Sequence, residues 1–94
     1  MRKALQTRTF ANDKKKLHKN QIRELDNVVL EILNDPEVGE QKKGDLLGVY
    51  VYKCKITKQL FLVAYQFDEN TLTLLLVGSH ENFYRDLKKL LPTI

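Results

Sequence analysis

A chain of 94 residues, 43% hydrophobic and 30% charged, has room for one domain with a modest core; a two-domain machine, a disordered segment and a membrane-embedded chain are all excluded. Sixteen Lys and Arg against twelve Asp and Glu leave a formal charge of +4, which favours polyanionic or acidic partners. The single cysteine, Cys54, rules out an intramolecular disulfide, and His18 and His80 stand too far apart for local zinc-binding spacing, so neither metal nor cofactor is expected. The start, MRKALQTRTFANDKKK, lacks the apolar run of a signal peptide, and no stretch approaches the roughly 18 apolar residues that span a bilayer. A cytoplasmic protein with no membrane partner is therefore expected.

In chain order, the alternation from Ala4 to Phe10 predicts a short strand, after which Asn12 or Asp13 caps a short basic helix through Lys19. Residues 21–34 place Ile22, Leu25, Val28, Val29, Ile32 and Leu33 on one helical face, and the helix must stop at Asn34-Asp35-Pro36, since proline forbids continuation. Glu37 to Gly48, with Gly39 and Gly44 inside it, predicts a polar loop. Val49 to Ile56, Leu60 to Phe67 and Thr71 to Val77 are rich in β-branched and aromatic residues and are separated by tripeptides short enough for hairpins. Gly78 should break the last strand and Ser79 cap a final helix, whose stripe is Phe83, Leu87 and Leu90 or Leu91, before Pro92. The expectation is a single α+β domain over residues 1–94. Its order is β-α-α-β-β-β-α: an antiparallel four-stranded sheet with a helical pair on one face, a C-terminal helix, and the other face partly open.

Strand alternation puts Lys53 and Lys55 side by side on one face, with Tyr50, Tyr52 and Cys54 on the other. A lysine pair of that kind is either a solvated face or a phosphate platform; the tyrosines read as core aromatics and Cys54 as a small buried hydrophobe. His80 lies where a strand ends and a helix begins, with Tyr84 one turn on and Arg85 beside it. An imidazole there is either an ordinary surface residue or a proton-exchanging group. Lys14, Lys15 and Lys16, continued by His18, Lys19 and Arg23, form a basic stripe suited to positioning a phosphate backbone rather than to reading bases, because no aromatic residues interleave it.

With these features in order, the chain resembles the RelE/ParE superfamily of bacterial type II toxins. Gly44-Asp45-Leu46-Leu47-Gly48 leading into Val51-Tyr52-Lys53-Cys54-Lys55 carries the similarity, as do Leu60-Phe61-Leu62-Val63-Ala64-Tyr65 and Gly78-Ser79-His80-Glu81-Asn82-Phe83-Tyr84-Arg85. The resemblance implies the family's compact fold, a cognate antitoxin as partner, and a metal-independent endoribonuclease that enters the ribosomal A site and cuts mRNA. In that reaction the ribose 2′-hydroxyl attacks the adjacent phosphate, leaving a 2′,3′-cyclic phosphate and a 5′-hydroxyl. It further implies that Lys53 and Lys55 neutralise the scissile phosphate, His80 handles a proton, and Tyr84 stacks on a base or shares the proton work, with Glu81 and Arg85 as lesser contacts. One position departs from the family: Leu62 stands where RelE-like nucleases usually place an arginine, and Arg85 or Lys43 is the expected replacement. The ParE branch, which inhibits DNA gyrase without catalysis, is the alternative, and a non-toxic basic nucleic-acid-binding module is a third class.

Overall fold

The computed structural model describes residues 2–46 and 48–90, so Leu47, Leu91 and Pro92 lie outside the description. It contains β1 (Lys3–Gln6), α1 (Arg8–Lys15), α2 (Lys19–Asn34), β2 (Glu40–Gln41), β3 (Tyr50–Ile56), β4 (Gln59–Phe67), β5 (Thr71–Ser79) and α3 (Phe83–Leu90), with single 3₁₀ turns at Pro36–Val38 and Gly44–Leu46. The α+β class and the order of helices and long strands are as predicted. The sheet differs: it has five strands in the order β1-β5-β4-β3-β2, and β1 lies parallel to β5, so it is mixed rather than antiparallel. Alternation along four residues fixes which side chains share a face but not the direction of the neighbouring strand, and the fifth strand is a dipeptide inside the predicted loop.

The first helix starts earlier than predicted. Thr7, rather than Asn12 or Asp13, is its cap: the hydroxyl accepts from the Phe10 amide at 3.0 Å and donates to the Leu75 carbonyl at 2.7 Å, so one side chain starts the helix and ties it to β5. Phe10 then joins Leu25, Val28 and Ile32 of α2 in a core with Ile56, Phe61, Val63, Tyr65, Leu72, Leu74 and Val77 from one face of the sheet. The other face is partly open, as predicted, with Lys53 and Lys55 exposed on it. α3 lays Phe83 and Leu87 over Val51, Leu62, Ala64, Leu75 and Leu76. A register shift between Ala64 and Tyr65 slips one extra residue into β5, which is why the neighbours Leu75 and Leu76 both reach this second core.

Two devices fix the segments that flank the site. The β3–β4 hairpin turns on Thr57 and Lys58, both at positive φ (48° and 68°), a conformation that a β-branched residue resists. α2 holds it there: the Thr57 amide donates to Glu24 Oε2 at 3.1 Å and its hydroxyl accepts from Gln21 Nε2 at 3.3 Å. At the opposite end of β3, the fully buried Tyr65 donates its hydroxyl to the Pro36 carbonyl and accepts from the Gly39 amide at 3.0 Å. A Cβ on Gly39 would meet that phenol oxygen at 2.5 Å, so only glycine allows the chain to pass.

Burial pushes the Tyr65 phenol up to about 12 from its ordinary 10.0. The folded state therefore holds this proton more tightly than the unfolded chain, and the stability this contributes is present below pH 10 and lost as pH rises to about 12. Tyr65→Phe is expected to cost about 1–2 kcal/mol at neutral pH, since two backbone groups lose their partner. It should also remove most of the fall in stability over that alkaline window, which urea unfolding at stepped pH would measure.

Candidate active site

The second face of the sheet ends in a cluster assembled from β2, β3, β5 and α3. Lys53 and Lys55 project from this face, both exposed; Lys53 pairs across to Leu62, and Leu62 to Gly78, so the three form one row. Tyr50, Tyr52 and Cys54 turn to the helical side, as alternation predicts, and Tyr52 donates its hydroxyl to Glu31 Oε2 at 2.9 Å. Cys54 is half-buried, and burial pushes its thiol up to about 11, so at neutral pH it is an inert packing group.

Gly78 does not break β5, which runs on through Ser79, and Ser79 does not cap α3. His80 sits in a turn closed by the Phe83 amide donating to the His80 carbonyl at 3.3 Å, with Asn82 at φ 65°, and the helix begins only at Phe83. His80 and Tyr84 therefore do not share a helical face, yet the turn brings them together, their ring centroids 6.1 Å apart and edge-on. Phe83, buried under the sheet row, packs edge-on at 5.3 Å on the other side of Tyr84 and holds its ring in place.

A residue that sequence reasoning missed completes the cluster. Lys42, beside the predicted Lys43, places its ammonium 5.3 Å from the Tyr84 ring centroid and pairs with Glu40. Its amide donates to the Val49 carbonyl at 2.8 Å, continuing the β2–β3 ladder and turning the side chain to the Lys53 face. The hydrogen bond that Lys42 donates to Glu40 Oε1, reinforced by Tyr84, holds the ammonium above the ordinary lysine range. The same pairing, with Lys42 first and Lys53 adding its charge, holds Glu40 below the usual carboxylate range. A two-residue strand carries no readable alternation, so nothing in the sequence separates Lys42 from Lys43.

The other expected contacts lie elsewhere. Lys43 is exposed beyond the end of β2. Arg85 is exposed and faces Asp86, Nε to Oδ1 3.7 Å. Glu81 lines a separate recess of about 200 Å³ with Asp13, Asn82 and Asp86. Lys14 is paired with Asp26 of α2 at 2.8 Å, and Lys15 and Lys16 are exposed at the C-terminal end of α1, which packs against the opposite face of the sheet. The basic stripe and the lysine–histidine cluster are thus two surfaces.

The site is a set of cations along one sheet face with an imidazole and a phenol beside it, an arrangement that can grip a phosphate and exchange a proton with it. A family model for the ParE-like toxins of type II bacterial toxin-antitoxin systems matches residues 4–88. The chain belongs to this family. Among solved structures, the toxin is similar to the RelE chain of the Escherichia coli RelBE toxin–antitoxin complex, at 20% identity over 86% of this chain and 99% of that one, with a TM-score of 0.69. It is also similar to a double arginine-to-alanine variant of E. coli RelE in the free state, at 18% identity over 98% and 95% of the two chains, TM-score 0.73. HP0894 from Helicobacter pylori is 27% identical over 85% and 96%, TM-score 0.50. A search of curated proteins found no match. The toxin is thus a type II toxin of the RelE/ParE superfamily, with the RelE fold over nearly its whole length. Among its described residues no helix is long and apolar enough to cross a membrane, and no three His, Cys, Asp or Glu side chains are placed to hold a metal ion.

Proposed function

We propose that this toxin is a ribosome-dependent endoribonuclease that cuts mRNA in the A site. The observation that carries this reading is that Lys53 and Lys55 are exposed on the sheet face that α3 covers, where Tyr84 of α3 meets both the His80 ring and the Lys42 ammonium. Lys53 and Lys55 neutralise the phosphate as its charge grows during attack by the adjacent 2′-hydroxyl. His80 is the group that exchanges a proton with the reacting oxygens, and Tyr84, pinned between Phe83 and Lys42, fixes the geometry around it. The products are a 2′,3′-cyclic phosphate and a 5′-hydroxyl. A cognate antitoxin restrains the toxin in the cytoplasm; the E. coli neighbour is a complex with the antitoxin RelB, and the net positive charge here calls for acidic residues in the partner's binding segment.

Primer extension on a reporter mRNA in a reconstituted translation reaction, with and without ribosomes, tests the reading. Cuts that require ribosomes support it. Intact message together with growth arrest in expressing cells would overturn it and make DNA gyrase the next target to assay.

A further inference from the structure

Between β2 and the edge of β3 lies an open recess of about 220 Å³, lined by Val38, Glu40, Lys42, Val51, Tyr52 and Lys53. We propose that this recess binds a phosphate of the RNA strand, with Lys42 as the cation that receives it and Glu40 as the resident carboxylate that it displaces. The RNA part of this proposal rests on the nuclease reading above.

Lys42 is an unusual surface lysine. Its side chain is only 20% exposed, and its ammonium is already placed between Glu40 and the Tyr84 ring, so little rotamer freedom remains to be lost when an anion arrives. Glu40 is the opposite, 67% exposed and free to swing into solvent. With its carboxylate this exposed the pair contributes little, and a phosphate bridging two lysines outweighs it through charge-assisted hydrogen bonds. The recess holds one carboxylate against Lys42 and Lys53, so its charge favours an anion even with Glu40 in place, and doubly so once Glu40 leaves. The row of Lys53 offers no second cation, because its cross-strand neighbour Leu62 is wholly buried beneath α3. Lys42 reaches the same area from the neighbouring strand end and touches Tyr84 directly.

The proposal predicts opposite signs for two neighbours. Binding of a short single-stranded RNA, measured by fluorescence anisotropy on the free protein across a salt series, should weaken about tenfold in Lys42→Gln. The slope of log affinity against log salt should become shallower by about 0.7, the value for one lost phosphate contact on a single strand. Glu40→Gln should bind severalfold more tightly than the unaltered toxin, and Lys42→Arg should retain binding. Inorganic phosphate should shift the side-chain NMR resonances of Lys42 before those of Lys88, an exposed α3 lysine. An unchanged salt slope in Lys42→Gln, weaker binding in Glu40→Gln, or phosphate shifts no larger at Lys42 than at Lys88 would each overturn the proposal. Both probes behaving as described while mRNA stays uncut would instead overturn the nuclease reading and leave the recess as an anion site.

Discussion

His80→Ala is expected to slow ribosome-dependent mRNA cleavage by about 10²–10⁴-fold, the range lost with a positioned acid or base. Lys53→Ala/Lys55→Ala should lose about 10²–10³-fold by removing charge stabilisation. All three side chains are exposed, and none forms part of either core, so thermal unfolding should move by no more than about 0.5 kcal/mol in either variant. That combination separates a chemical defect from a folding defect. Full cleavage activity in the histidine variant would remove His80 from the mechanism, and an equal loss of stability and activity would make its role structural.

Leu62→Arg, which introduces the residue type that the resemblance leads one to expect here, should destabilise the toxin strongly rather than improve it. Leu62 is fully buried in the second core, among Val51, Ala64, Phe83 and Leu87, and it faces Lys53 across the strand pair. A guanidinium there would be desolvated with no carboxylate to meet it and with a lysine as cross-strand neighbour; uncompensated buried charges cost about 3–5 kcal/mol. Against a total stability of about 5–15 kcal/mol, that removes much of the margin. Circular dichroism melts and inclusion-body partitioning would show it, whereas a soluble, native-like and more active variant would mean that α3 lifts readily from the sheet. Leucine at this position is thus coupled to the apolar seating of the last helix. It is not a defect that one substitution repairs.

The parts of the fold written in local periodicity were legible in the sequence. The apolar stripe of α2 buries Leu25, Val28 and Ile32, and the alternation of β3 separates Lys53 and Lys55 from Tyr50, Tyr52 and Cys54. What depended on distant partners was not legible. Thr7 outcompetes Asn12 and Asp13 as a cap because its hydroxyl also finds the Leu75 carbonyl, 68 residues away. β2 is too short to show alternation and exists because Tyr65 anchors Pro36 and Gly39 beside β3. At the site, His80 and Tyr84 were chosen from their place at a strand end, and they do meet, though through a turn instead of a shared helix face. The choice between Lys42 and Lys43 turned on one residue of strand parity, which only the pairing of Glu40 with Val51 decides.

The parallel pairing of β1 with β5 matches Lys3 with Thr71 and Gln6 with Leu74, so the first strand of the chain finds its neighbour only in the last strand. Contacts of such sequence separation form late and slow the folding of small domains, because a long loop must close before they contribute. During synthesis β1 and α1 have no sheet to dock on until β5 has left the ribosome, and α3, which caps the second core, comes later still. A newly made chain therefore passes through an interval in which the apolar face that α3 covers is still accessible and Tyr84 has not yet met Lys42.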